Sequence, residues 1–124
     1  MFGLLADQGV GSIPWSPLAK GRLARPWGTQ THRADTDPVG QRFFAANDQP
    51  IANAVQRIAE ARGVPMAHVA LAWVLKNPVV TAPIVGPTKS HHLPDAVAAL
   101  DLELTPEEIT ALEDSYSPRP PTGY

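Results

Sequence analysis

Residues 79–95 read VVTAPIVGPTKSHHLPD, and the order of residue types in this stretch decides which fold the chain can adopt. The apolar run from Val79 to Val85 predicts a β-strand that ends at Gly86. The loop at residues 88–90 then carries two hydroxyls and one cation, and Ser90 is the expected cap of a helix. The stretch therefore predicts a strand, a glycine turn and a helix in that order.

The same stretch has the chemistry of an anion site. The first turn of a helix has free N–H groups and a partial positive charge, which favour a phosphate. Gly86 would let the backbone approach a ligand, and Lys89 would add a full charge. An ordinary strand-to-helix connection with a solvated lysine fits these residues equally well, so both interpretations stay open at this point.

Composition excludes several function classes. The chain has 124 residues, the length of one domain, and 44% of them are hydrophobic, as in globular proteins. The net charge is −2, so no basic field favours a nucleic-acid partner. Cysteine is absent, and we find no signal peptide or membrane-spanning run. These features predict a soluble, cytoplasmic protein without a membrane or nucleic-acid partner.

The segments on either side of residues 79–95 predict one further strand and several helices. A helix is expected at residues 1–8, and a strand from Val10 to Pro14 follows it. A long polar segment, Ala24 to Asn47, has the length of a functional or mobile loop. A helix is expected from Pro50 to Gly63, with Asp48 as its cap and with Ile51, Val55, Ile58 and Ala59 at helical spacing as its buried face. Further helices are expected from Met66 to Lys76 and after the capping box Thr105–Glu108. The helix capped by Ser90 is expected to carry Leu93, Val97 and Leu100 on one apolar face.

This order of elements predicts an α/β fold with parallel strands, because strands separated by helices pair in parallel. Two strands cannot form a sheet that covers these helices. The helix from Met66 to Lys76 is apolar nearly all round and needs a partner on each side. The chain is therefore expected to be part of something larger.

Several motifs resemble the aldo-keto reductases. The segment IPWSPLAKGRL at residues 13–23 is similar to their seventh strand and the loop after it. The resemblance continues through VALAWVL at 69–75, APIVG at 82–86 and LELTPEEI at 102–109. It implies a TIM-type (β/α)8 barrel, of which residues 1–124 would be a C-terminal fragment with strands 7 and 8, about the last quarter of the strands. The missing N-terminal part of the barrel is then an expected partner.

The resemblance also implies a cofactor, NADPH. Trp15 is at the position of the aromatic residue that stacks on the nicotinamide ring. Ser16, Leu18 and Gly21 resemble the loop that covers the pyrophosphate, and Arg22 would assist by its charge.

The second loop and the following helix complete the implied cofactor site. Thr88 and Lys89 resemble the pair that holds the adenosine 2′-phosphate, which would favour NADPH over NADH. His92 and Asp95 are at the positions of adenine-nucleoside contacts, on one helix face. The family more often has glutamine at the position of His92 and asparagine at that of Ala96.

The family reduces aldehydes or ketones to alcohols by hydride transfer, with a tyrosine, a lysine, an aspartate and a histidine around the carbonyl. These four residues come from earlier strands, and Tyr116 and Tyr124 do not match the tyrosine. No catalytic residue is therefore assigned. The resemblance implies the cofactor-binding C-terminal part of an NADP(H)-dependent oxidoreductase. The alternative is an inactive truncated barrel that binds a dinucleotide or a partner chain.

Two other interpretations of the residues are weaker. His91 and His92 suggest a metal site, but adjacent helical residues point about 100° apart, and His32 and His68 are on other elements. Residues 57–66 resemble the first part of a helix–turn–helix motif. The helix that would read DNA is apolar, however, where polar or basic side chains are needed.

Overall fold

The computed structural model describes residues 1–29 and 48–118, and the predictions for residues 30–47 and for the tail after Pro118 lie outside these ranges. The described chain is mainly helical. Its α-helices in chain order are α1 (Phe2–Asp7), α2 (Gln49–Arg62), α3 (Met66–Leu75), α4 (His92–Ala98) and α5 (Pro106–Glu113). Short 3-10 helices lie at Ala19–Gly21 and Ala99–Asp101.

The two segments predicted as strands pair in parallel, but they are not regular strands. Isolated parallel bridges join Ser12 to Val80 and Trp15 to Ile84. The second segment has one more residue between its bridges than the first, so the ladder is interrupted as at a bulge. The prolines in these segments also lack the N–H that a ladder needs.

The prediction of two β-strands, Val10–Pro14 and Val79–Val85, is therefore wrong for the described residues, whereas their parallel alignment is confirmed. Two bridges do not make the wall of a barrel. The partial TIM-type barrel stays a prediction.

The core lies where α2 packs against α3. The apolar residues of α2 recur at helical spacing, and Val55, Ile58 and Ala59 are buried as predicted. From α3, Val69 has no exposed surface and Leu71 is 2% exposed. Trp73, however, is 40% exposed, so α3 is not covered on all sides within the described residues. The cluster also includes Ala54, Met66, Ala70 and Leu112.

The turn between α2 and α3 follows from one glycine. Gly63 has φ 65°, in the left-handed region where a side chain would be strained. The N–H groups of Gly63 and Val64 donate to the carbonyls of Glu60 and Ala59, which satisfies the end of α2. The predicted end of this helix at Gly63 and its cap position at Asp48 are confirmed.

Helix α5 is fixed at both ends by side-chain contacts. The predicted capping box is present: Thr105 Oγ1 accepts from the Glu108 N–H, and Glu108 Oε2 accepts from the Thr105 N–H. The guanidinium of Arg62 donates two hydrogen bonds to the same glutamate, at 2.7 and 2.6 Å. These bonds from Arg62 hold the pKa of Glu108 below its ordinary value.

The other end of α5 is attached to α3. Glu113 Oε1 accepts from Trp73 Nε1 at 2.8 Å and from Lys76 Nζ at 2.7 Å. The hydrogen bond from Lys76, followed by that from Trp73, lowers the pKa of Glu113. Both glutamates therefore connect helices that are far apart in sequence.

Helix α4 differs from its prediction in two ways. It begins at His92, and its N-cap is His91 rather than Ser90. Its predicted apolar face also points to solvent, with Leu93, Val97 and Leu100 between 52% and 66% exposed, because the helix packs against α3 through other positions. Within residues 1–29 and 48–118, no helix is long and apolar enough to cross a bilayer.

We expect Thr105→Ala to lower the free energy of unfolding by about 1 kcal/mol, because it removes the side-chain acceptor that caps α5. Urea unfolding followed by circular dichroism measures this. Thr110→Ala is the matched control, since it removes a hydroxyl inside the same helix that bonds only the Pro106 carbonyl. Equal losses for the two variants would show that the cap contributes nothing specific.

Stability should also fall in acid in a way that depends on the two glutamates. Because the folded-state pKa values are lowered, their contribution is present above pH 4.5, the ordinary glutamate value, and is lost as the pH falls through the folded values. We expect the double variant Glu108→Gln/Glu113→Gln to melt below the parent chain at pH 7, with the difference shrinking below pH 4.5. Arg62→Gln/Lys76→Gln should behave alike, and a pH-independent difference would contradict this account.

Candidate functional site

The pairing of the two extended segments brings two loops to one edge of the molecule. Trp15 lies opposite Ile84 in a parallel bridge, so the chain leaves both segments in the same direction. The first loop (residues 16–22) starts one residue after its bridge, and the second loop (residues 86–90) starts two residues after its own. Loops that follow the ends of neighbouring parallel segments are where α/β proteins bind ligands.

Three backbone hydrogen bonds hold this pairing. Ser12 donates to the Val79 carbonyl at 2.7 Å and accepts from Thr81 at 2.8 Å, and Ile84 donates to the Pro14 carbonyl at 2.8 Å. Gly11 lies against Thr81 so closely that a Cβ at Gly11 would collide with the threonine hydroxyl and approach its Cβ to 3.3 Å. The absence of a side chain at Gly11 therefore permits the close approach of the segments.

The first loop has a strained backbone. Ser16, Ala19 and Lys20 have φ values of 54°, 48° and 56°, and within the described residues these are the non-glycine residues at positive φ. Gly21 follows with φ 90°. The Lys20 N–H donates to Ser16 Oγ at 3.2 Å, which helps to close the loop. Backbone strain of this kind is concentrated at ligand sites, where the surroundings must enforce it.

The predicted residues of the first loop have different environments. Trp15 is 70% exposed, so its ring is available to a ligand. Leu18 packs against the core cluster, so its side chain anchors the loop. The guanidinium carbon of Arg22 lies 5.6 Å from the centroid of the Trp27 ring, a cation–π distance. The guanidinium of Arg25 lies against Gly21, where a Cβ would collide with it.

The second loop is open to solvent. Gly86, Thr88 and Lys89 are all exposed, and a Cβ built on Gly86 would meet no atom within 4 Å. The protein itself therefore gives no steric reason for a glycine at position 86. The Thr88 N–H donates to Nδ1 of His92 at 3.2 Å, so the first residue of α4 holds this loop.

Asp95 lies one turn further along α4 and faces α3. Its Oδ1 is 3.6 Å from Nε2 of His68. The sequence analysis does not predict this contact, because it considers His68 only as a metal ligand. The sequence does contain one signal for it: His68 is the one ionisable side chain among the ten residues of the otherwise apolar helix α3.

The sequence segments that contain the two loops are rich in cations. Residues 8–29 and 77–94 contain Lys20, Arg22, Arg25 and Lys89 and no aspartate or glutamate, and Asp95 follows directly. Cations beside an exposed tryptophan suit an extended, negatively charged ligand that carries a flat ring.

Other features of the described residues do not belong to this edge. A cavity of about 410 Å³ lies between residues 24–26 and the turn from α2 to α3, and none of the predicted cofactor residues lines it. No group of three or more histidine, cysteine, aspartate or glutamate side chains in residues 1–29 and 48–118 is arranged to hold a metal ion. Tyr116 is 69% exposed just after α5, and Tyr124 lies outside the described residues.

Comparison with known proteins gives a consistent result. Residues 1–117 match the family model described as the aldo/keto reductase family. Versiconal hemiacetal acetate reductase from Aspergillus parasiticus is 42% identical over an alignment that covers 96% of this chain and 36% of that protein.

Two further relatives give similar values. Aldo-keto reductase AMT2 from Alternaria alternata is 43% identical and covers 94% of this chain and 32% of its own length. Aldo-keto reductase dtxS3 from Metarhizium robertsii is 43% identical, with coverage of 94% and 32%. The chain thus spans about a third of the length of the curated relatives it matches.

We expect Gly11→Ala to destabilise the fold by roughly 1–3 kcal/mol, because the added Cβ overpacks the contact with Thr81. Thermal unfolding followed by circular dichroism measures the change. Gly86→Ala is the matched control, since its Cβ has open space. Adding Thr81→Ala to Gly11→Ala should recover part of the loss, and no recovery would mean that this contact is not the cause.

Proposed function

The chain belongs to the aldo/keto reductase family, and we propose that it forms the NADPH-binding part of an oxidoreductase that reduces a carbonyl group to an alcohol. The substrate class is an aldehyde or a ketone. Residues 1–124 would supply the C-terminal part of a (β/α)8 barrel. The observation that carries the proposal is the parallel pairing of residues 12–15 with residues 80–84, which brings both candidate loops to one edge.

The first loop would bind the nicotinamide and pyrophosphate parts of the cofactor. The exposed ring of Trp15 offers a flat apolar surface to the nicotinamide. The strained turn at Ser16–Gly21 would cover the pyrophosphate, and Arg22 adds positive charge beside it. Leu18 anchors this loop on the core, so the loop does not have to be ordered by the ligand alone.

The second loop would distinguish NADPH from NADH. The two cofactors differ by the 2′-phosphate on the adenosine ribose, and Thr88 and Lys89 supply a hydroxyl and an ammonium group for it. Both side chains are exposed, and the nearby backbone at Gly86 has room for a ligand. A charged hydrogen bond to a phosphate is among the stronger polar contacts in proteins. His92 and Asp95 on α4 would contact the adenine nucleoside.

NADPH would supply the hydride, while the proton donor would come from other strands of the barrel. The four catalytic residues that the family resemblance implies have no counterpart in residues 1–124. The proposed contribution of this chain is therefore to bind and orient the cofactor. The substrate itself is assigned only as a carbonyl compound, since the names of the relatives AMT2 and dtxS3 specify no compound.

The remaining barrel strands are the proposed partner of the exposed apolar surface. Ile13, Trp15 and Ile84, in the paired segments, are between 54% and 70% exposed. Apolar side chains clustered on a surface in this way are typical of an interface rather than of a free surface. Further strands beside residues 12–15 and 80–84 would cover Ile13 and Ile84, whereas the ring of Trp15 would stay open to the nicotinamide. The absence of cysteine supports a location in the reducing cytoplasm.

We expect Lys89→Ala to weaken NADPH binding about tenfold and to leave NADH binding nearly unchanged, because only NADPH carries the 2′-phosphate. The increase in melting temperature with rising concentration of each cofactor gives the two dissociation constants.

Lys76→Ala is the matched control for this experiment. It removes the same charge at the opposite end of α3 from His68, next to Glu113. This variant should bind both cofactors as the parent chain does. If Lys89→Ala weakened NADPH and NADH equally, Lys89 would not contact the 2′-phosphate.

A further inference from the structure

We propose that His68 is a positioning residue for the cofactor site, because it holds α4 on the buried helix α3 through Asp95 and thereby fixes the second loop. The proposal rests on the proposed function of that loop. It adds His68, which lies in α3 and is not among the residues that are assigned to contact the ligand.

His68 is a polar side chain in an apolar place. Its side chain is 12% exposed, and its neighbours in sequence, Val69 and Ala70, are buried core residues. Its Nε2 has no accessible surface and no hydrogen-bond partner. Burying an unpaired nitrogen costs free energy, so a residue of this type in α3 calls for a compensating interaction.

The group that faces this nitrogen is the carboxylate of Asp95. Oδ1 of Asp95 lies 3.6 Å from Nε2 of His68, which is beyond a hydrogen bond but within the range of direct electrostatic attraction. A shift of α4 by less than about 1 Å toward α3 would bring the two atoms to hydrogen-bond distance. The contact is therefore one that α4 can close or release by a small movement.

Helix α4 is short and leaves much of its apolar surface exposed. The helix has seven residues and no side-chain cap. Leu93 and Val97 are 52% and 56% exposed, although apolar residues of this kind normally face the core. The pair formed by His68 and Asp95 is a side-chain contact between α3 and α4, in addition to the packing of the two helices. It would determine how α4 is oriented on α3.

The position of α4 in turn sets the second loop. His92, the first residue of α4, accepts the Thr88 N–H at Nδ1, and Lys89 is the next residue of the loop. Asp95 is 33% exposed at its side chain, so a carboxylate held at Oδ1 can present its other oxygen to a donor on the ligand. The hydroxyl or amino groups of a nucleoside are donors of this kind. His68 would then orient both the phosphate-binding pair and the nucleoside contact.

The test compares His68→Leu with His68→Gln in the full 124-residue chain. Leucine keeps the apolar packing but removes the donor, whereas glutamine keeps an N–H close to the position of Nε2. We measure amide hydrogen exchange of residues 92–98 without ligand, and NADPH affinity by thermal shift. His68→Leu should raise the exchange rates in α4 and weaken NADPH roughly tenfold, and His68→Gln should restore both.

A matched control separates positioning from general stability. Arg62→Leu removes the two hydrogen bonds to Glu108 between α2 and α5. It should lower the melting temperature, while exchange in α4 and NADPH affinity stay unchanged.

Three results would overturn the proposal. One is unchanged exchange in α4 of His68→Leu, and another is equal impairment of the leucine and glutamine variants, since packing alone would then matter. The third is a change in Arg62→Leu that matches that of His68→Leu in both measurements. If the parent chain does not bind NADPH, the proposed function fails, and the exchange measurement alone then supports or overturns the positioning role.

Discussion

The burial of α3 is the constraint on which the rest of the described structure depends. Val69 and Leu71 are almost completely removed from solvent, and α2, α4 and the 3-10 helix at Ala99–Asp101 pack against α3. Helix α2 supplies the opposing apolar face, and α5 is attached through Glu113 to Trp73 and Lys76. The chain that leaves α3 runs directly into the segment that pairs with residues 12–15. The second loop therefore follows a segment that begins next to the buried helix α3.

The first loop of the candidate site has a backbone that is unfavourable for stability. It holds Ser16, Ala19 and Lys20 at positive φ. Leu18 inside this turn and Leu23 just after it pack against the core cluster and so anchor the loop. A loop that is anchored in this way would need less ordering when a ligand binds.

Much of the helical structure could be predicted because its signals are local. Gly63 ends α2 through a left-handed conformation that side chains disfavour, and Thr105 with Glu108 forms a capping box within four residues. The strands could not be predicted in the same way. An apolar run specifies a strand only if neighbours complete the hydrogen bonds, and the described residues provide two isolated bridges interrupted by prolines. The cap of α4 was misplaced at Ser90, since a hydroxyl before a helix is a preference and His91 took the position instead.

The helices, the core face of α2, the cationic loops and the family of the chain could be inferred from short motifs and residue spacing. Which residues meet across long separations depends on the tertiary fold. It brought Asp95 beside His68, turned His92 toward Thr88, and left the apolar face of α4 in solvent. The physical reason is that periodicity gives the direction of a side chain relative to its own helix axis. The partner on the other side depends on how whole helices pack.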